Sequence, residues 1–366
     1  MRSCLDSFGI HQHFFESLSM SNSRKILIVG AGLSGVSVAI HLLRKKVDVT
    51  LVDNGTNVSS MIAAGLINPL VFRRMTKGWR VDDFIPYVKE FYSSIEEESG
   101  MKFFEKLPIR RLFSTEHERE LWVKKQLRED FQEYMTPLEE SDDTYDRCKN
   151  PFGSGRIKNA FVVHPTGFLP ASKQIIAENG TLLNEEFDYQ ELDGTNYKGN
   201  QYDDVIFCEG YHGMDNPWFS FLPINPTKGE VLTVRSEELP EDESLNRKCF
   251  NLPLGNKEFK IGATIDWNNT SLELTEEGRN EILEKLSFII DEKVEIVRQQ
   301  AGIRPGPISR RPYIGTHPNH PHYHVFNGLG SKGYLLCPLL SKEFVDYLLE
   351  GKELDPEVRI ERYLDR

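Results

Sequence analysis

No apolar stretch of the 366-residue sequence approaches the roughly 18 residues that a membrane-spanning helix needs. The longest are strand-sized, such as ILIV at 26–29. Cysteine is scarce, odd in number and scattered: Cys4, Cys148, Cys208, Cys249 and Cys337, with no CxxC pair. That pattern excludes a zinc knuckle and a disulfide framework, and points to reduced thiols in a cytoplasm. The opening stretch MRSCLDSFGIHQHFFESLSMSNS lacks the apolar centre of a signal peptide. Residues 1–22 are therefore expected to be an N-terminal extension with little structural role, ahead of the strand that starts near residue 24. There is no dense basic stripe, and 56 acidic against 44 basic side chains leave a net charge of −12. Phosphate backbones need the opposite sign, so a nucleic-acid partner is not expected. Neither a repeat nor a low-complexity tract is present. The partner expected is a small-molecule substrate, with a second copy of the chain left open.

What is present is enough chain for two or three self-sufficient cores. KILIVG at 25–30 is a continuous apolar run ending in glycine, as a parallel strand buried on both faces should be. Val36, Ala39, Ile40 and Leu43 then fall at helical spacing, and the basic run 44–46 sits where a helix dipole favours cations. VDVTLVD at 47–53 reads as the next strand, completing a βαβ unit. Two further strand-to-glycine junctions follow, YDDVIFCEG at 202–210 and HYHVFNGLGSKG at 322–333. All three can share one parallel sheet, whose carboxyl edge is where such folds bind ligands. The aromatic and charged segments between 80 and 150 read as helices around a short strand, EEGRNEILEKLSFII as an amphipathic helix, and the acidic run EESDDTYD at 139–146 as a solvated loop. The histidine-rich segment THPNHPHYH suits a loop and edge strand better than a metal site.

GAGLSG at 30–35 has the spacing GxGxxG between a strand and a helix. Gly30 permits a tight turn, Gly32 lets the backbone approach a pyrophosphate, and Gly35 allows the helix to pack closely on the strand. Ala31, Leu33 and Ser34 would contribute the backbone amides of a helix N-terminus. Asp53, at the end of the next strand, is placed to accept hydrogen bonds from ribose hydroxyls and to repel a 2′-phosphate, with Asn54 beside it. This fingerprint leaves FAD and NAD both open.

The segments KILIVGAGLSG, SSMIAAGLINPL, VIFCEGYHG, PTKGEVLTV, FKIGATIDW, AGIRPGPISRRPYIG and VFNGLGSKG, in that order, resemble the D-amino-acid oxidase family of FAD-dependent oxidoreductases, glycine oxidase-like members above all. The resemblance runs from residue 24 to about 350. It implies an α/β protein with a Rossmann-like FAD-binding domain, drawn discontinuously from 23–78, 155–215 and 300–366. A second α+β substrate domain with a mixed or antiparallel sheet would come from 79–154 and 216–299. It implies FAD as cofactor, held non-covalently because Cys337 is not where flavin-linked members place their cysteine. Ser59, Ser60, Ala63, Ala64 and Gly65 match the small-residue loop beside the cofactor. Gly210, Gly302, Gly328, Gly330, Ser331, Lys332 and Gly333 match further cofactor contacts, and a helix start at 331–333 would stabilise charge accumulating on a reduced flavin. Arg304 matches the carboxylate clamp and also touches the cofactor region.

The implied activity is oxidation of a small amine or amino acid, carboxylate-bearing, by hydride transfer to flavin N5. A 2-hydroxy-acid dehydrogenase with another electron acceptor, or a flavoprotein subunit dependent on a partner chain, are the competing readings. No catalytic acid or base is assigned, since a neutral amine can lose hydride directly. Where relatives often carry an acidic residue, this chain has Arg310 and Arg311, and Arg73 and Arg74 add positive charge. Together they suggest an anionic substrate larger than glycine.

Overall fold

The computed structural model describes residues 24–364 apart from 57 and 58; the expected N-terminal extension lies outside the described residues. Six strands form one sheet in the spatial order Thr181–Leu183, Asp48–Val52, Lys25–Val29, Asp204–Phe207, His320–Asn327 and Tyr313–His317. The first five are parallel, and the last pairs antiparallel at the edge. Ile26, Leu27 and Ile28 are fully buried, as a strand covered on both faces requires. The strands before the three glycine junctions are immediate neighbours, so all three junctions open on the same edge.

Helices cover the sheet. Leu33–Arg44 buries Val36, Ala39 and Ile40, and stops where Lys46 enters the left-handed region at φ 61°. Pro165–Asn179 opens with proline in its first turn, where the missing N–H costs nothing. Gly333–Glu350 and Val81–Ser99 pack alongside, and the Tyr92 hydroxyl donates to the carbonyl of Tyr334 at 2.8 Å. No described helix is long and apolar enough to cross a membrane.

The second sheet has seven strands in the order Glu295–Pro307, Ile224–Arg235, Glu258–Gly262, Cys249–Gly255, Ser244–Arg247, Ile109–Leu112 and Ser154–Ile157. Its pairs are antiparallel except that between Ser244–Arg247 and Ile109–Leu112, so the sheet is mixed. The amphipathic helix expected after residue 276 runs Glu276–Ser287 and buries Ile282 and Leu286. Two of the domain boundaries expected from sequence fall inside elements, at 154/155 within Ser154–Ile157 and at 300 within Glu295–Pro307.

The acidic run at 139–146 is not simply a solvated loop. Glu140–Asp143 makes a helical turn, and Asp142 is buried on Arg110 at 2.8 Å. Arg110 also holds buried Glu243 at 2.8 Å, so a cation deep in the fold drew in a carboxylate that composition alone assigned to solvent.

Candidate active site

The first glycine loop is built by close approach. Gly30 has φ +96°, and a Cβ there would lie 2.7 Å from the carbonyl oxygen of Cys208 on the adjacent strand; a Cβ on Gly35 would lie 1.8 Å from the carbonyl oxygen of Gly30. Only glycine tolerates such distances. The helix that follows is capped by Gly32, which has no side chain to satisfy the first-turn amides. Two groups from elsewhere steady the loop: Asp53 Oδ1 accepts from Ala31 N at 3.0 Å, and Ser60 Oγ accepts from Leu33 N at 3.0 Å. Asp53 Oδ2 accepts from Gly55 N at 3.2 Å and pairs with Lys173 at 3.0 Å. Asn54 closes a turn, its Oδ1 accepting from Thr56 N at 3.0 Å.

Beside this loop lies a cavity of about 420 Å³. Of the residues expected from sequence, it is lined by Gly32, Leu33, Ser34, Ser60, Ala63, Ala64, Gly65, Gly210, Gly302, Arg304, Gly330, Ser331, Lys332 and Gly333. Gly30, Ala31 and Gly35 shape the loop behind it, Asp53 and Asn54 stand at the next strand end, and Gly328 backs onto the Tyr313 ring. The second glycine loop passes through a short turn, Gly330–Lys332, straight into the helix Gly333–Glu350, again without a side-chain cap or an acidic residue in its first turn. A Cβ on Gly333 would lie 2.9 Å from Leu33 Cδ2, so two uncapped helix N-termini meet at one cavity. Their amides and dipoles favour anionic groups.

The wall is completed by Ser59 of the small-residue loop and by Tyr334, Lys260 and Gly229, which sequence reasoning did not single out. The Tyr334 hydroxyl donates to the carbonyl of Ser60 at 2.9 Å, and Ser59 Oγ donates to the carbonyl of Ile303 at 2.6 Å. The Lys260 ammonium lies 3.3 Å from the carbonyl oxygens of Ile62 and Ala63, fastening the small-residue loop to the seven-stranded sheet. Gly229 and Gly302 are cross-strand partners, and Arg304 folds its guanidinium over Gly229. The segment PTKGEV carried that signal as a glycine inside an apolar strand.

A second, outer cavity of about 920 Å³ adjoins the first, and Arg304, Ile265, Leu329, Gly330, Ser331 and Lys332 line both. Neither is lined by Asp, Glu or His among the described residues. Among the described residues, Arg304 has no carboxylate within ion-pair range, and burial lowers its pKa; a guanidinium nevertheless stays charged at neutral pH. The Lys332 ammonium is buried with no hydrogen-bond partner among the described residues, and burial likewise pulls its pKa down. Glycine-cradled backbone, two open helix ends and an orphaned buried cation suit a cofactor that carries a pyrophosphate and gains negative charge on reduction.

A parallel sheet with glycine turns at its carboxyl edge, joined to a mixed sheet across a shared cavity, defines a two-sheet dinucleotide-binding protein. The chain matches the FAD dependent oxidoreductase (DAO) family over residues 25–347 and belongs to it. It is an FAD-dependent oxidoreductase. It is similar to the glycine oxidase of Bacillus subtilis strain 168, at 24% identity over 92% of this chain and 96% of the relative. Among solved structures, it resembles glycine oxidase from Geobacillus kaustophilus, with a TM-score of 0.77 at 20% identity, covering 91% of this chain and 96% of that one. Iminodiacetate oxidase from Chelativorans sp. BNC1 aligns with a TM-score of 0.72 at 18% identity, over 92% and 98% respectively.

Proposed function

We propose that the chain oxidises a small carboxylate-bearing amine or amino acid, with non-covalently held FAD in the inner cavity. The observation that carries this reading is Arg304: a guanidinium without a carboxylate partner, lining both cavities where they join. A substrate carboxylate can take both arms of its planar fork, which fixes the adjacent carbon in position and orientation. FAD held there would supply the two-electron acceptor for the amine-bearing carbon, and the imine product would be hydrolysed by water.

In this reading Gly32 and Ser34 offer their amides to the pyrophosphate, the Leu33 amide being held by Ser60, and Asp53 reaches the ribose. Ser60, Ala63, Ala64 and Gly65 lie along the flavin, while Ser331, Lys332 and Gly333 offset the charge that reduction adds. Cys337 is buried in its helix, donating to the carbonyl of Leu33 at 3.4 Å, which supports non-covalent retention. The sheet with the glycine turns would act as the FAD-binding domain and the mixed sheet as the substrate domain. The absence of Asp, Glu and His from both linings favours an amine over a 2-hydroxy acid, because a hydroxyl must surrender its proton to a base as hydride leaves. A neutral amine makes no such demand.

The test is to release the chromophore from purified protein with acid, then to mix the holoenzyme anaerobically with amines, amino acids and 2-hydroxy acids. Bleaching by amines and not by hydroxy acids is expected. Bleaching by hydroxy acids alone would reverse the assignment.

A further inference from the structure

The outer cavity is far larger than a two-carbon amino acid, falling in the range of about 300–1,000 Å³ that holds drug-sized ligands. Its wall is also the wrong sign for this chain. Among the described residues, seven basic ones and no acidic one line it, in a protein of net charge −12. Two of the seven are neutralised locally: Lys77 pairs with Asp82, and Arg311 pairs with Glu357 at 2.8 Å while stacking on Trp79. The remaining five, Arg73, Arg74, Arg304, Arg310 and Lys332, have no ion-pair partner among the described residues.

Their placement is built rather than incidental. Arg73 and Arg74 project from a short turn, Phe72–Arg74, pinned by Met75, which is fully buried and takes φ 43°. Arg310 sits at φ 60°, its amide donating to the carbonyl of Pro307 at 3.0 Å, in a conformation that side-chain-bearing residues adopt at a cost of about 1–2 kcal/mol. The same cavity has an apolar wall, with Ile265 60% and Trp267 59% exposed. That wall is fixed by the mutual backbone hydrogen bonds of Lys228 and Asp266, at 2.9 and 3.0 Å. Deeper in, the buried Lys332 ammonium has no partner of its own.

We propose that the substrate carries two anionic groups: an α-carboxylate on Arg304, and a carboxylate or phosphate several bonds away, seated among Arg73, Arg74 and Arg310 with its linker against Trp267. This rests on the amine-oxidation reading above and narrows it to dianionic amines. Like charges gathered in one cleft raise the local concentration of such a ligand, and the gain fades as salt screens it.

The test compares N-methylglycine with glycines N-substituted by carboxymethyl, 2-carboxyethyl and 3-carboxypropyl, together with O-phosphoserine against serine in both configurations. At least one dianion is expected to exceed its monoanionic counterpart tenfold or more in kcat/KM, an advantage that shrinks with added salt. The serine pair separates phosphate from carboxylate. In the Arg73→Gln/Arg74→Gln double variant, whose changes lie at exposed positions, that selectivity ratio should fall about tenfold. As a measurement independent of turnover, glutarate should raise the melting temperature of the holoenzyme more than butyrate does, and the difference should vanish in the double variant. If no amine bleaches the flavin, the proposed function itself fails. If N-methylglycine or serine is oxidised with no advantage for any dianion, or the ratio is unchanged in the double variant, only the second-anion assignment is overturned.

Discussion

The Arg304 guanidinium occupies the space that a side chain at Gly229 would fill: a Cβ on Gly229 would lie 2.3 Å from Nη2 and 2.6 Å from Nη1. The obstructed atoms are the far end of a flexible side chain, so Gly229→Ala should fold and shift the guanidinium. KM for a carboxylate substrate is expected to rise about tenfold to a hundredfold, the loss of a charge-assisted hydrogen bond worth about 1.5–3 kcal/mol. Arg304→Leu should do the same or more. In both variants FAD content, read from absorbance after acid release, should match the wild type; an unaltered KM would remove the clamp.

Asp53 serves the loop as well as the cofactor. Because it holds the Ala31 amide and Lys173, Asp53→Ala is expected to lower the melting temperature of the apoprotein as well as weaken FAD binding severalfold. Asp53→Asn keeps an acceptor for the amide while losing the ion pair. It should retain more of the apoprotein's stability than of its FAD affinity, measured by calorimetric melting and by flavin titration.

Lys332 is a buried charge with no hydrogen-bond partner among the described residues, which costs stability until a ligand arrives. Lys332→Met should therefore raise the apoprotein's stability by about 1 kcal/mol, some 2–4 °C, while weakening the holoenzyme's hold on anionic ligands. Melting curves with and without FAD and glutarate separate the two effects. A less stable apoprotein would contradict the account.

Glu209, between the strand Asp204–Phe207 and Gly210, has its pKa pushed up to about 7 by burial, against hydrogen bonds from Tyr189 and Asn216 that favour the carboxylate. The folded state thus holds this proton more tightly than the unfolded chain does. The stabilisation is complete below the unfolded value near 4.5 and is lost as pH rises through 7. Relative to wild type, Glu209→Gln should gain stability from pH 5 to pH 8, by roughly 3 kcal/mol at full development. Denaturant titrations at several pH values read that slope, whatever constant offset the substitution adds.

The parallel sheet was legible because its strands are apolar throughout and stop at glycines, signals that need no knowledge of partners. The helix start at Gly32 was legible for the same local reason, whereas the loop at Ser60 was legible only through its resemblance to the family's small-residue loop. Gly229, Tyr334 and Lys260 were not, because their roles come from cross-strand register and from contacts between the two sheets. Composition misjudged Asp142 because its partner Arg110 is 32 residues away in sequence. Asn54 closes a turn beside the strand end, its Oδ1 accepting from Thr56 N, since an Asn there finds its nearest donors in its own backbone. The arginines could be counted in the sequence, but only the fold shows that two turns deliver them to one cavity.

The cavity walls come from residues 32–34, 59–66, 208–210, 229–231, 246–250, 263–265, 302–305 and 329–334, eight stations spread along nearly the whole chain. Anything bound there is a strap across contacts of the longest sequence separation. A ligand present at about 100 times its dissociation constant adds about 2.7 kcal/mol to the folded state. The lifetime of this protein in a cell would therefore follow its supply of flavin, with the apoprotein the form most exposed to unfolding and degradation.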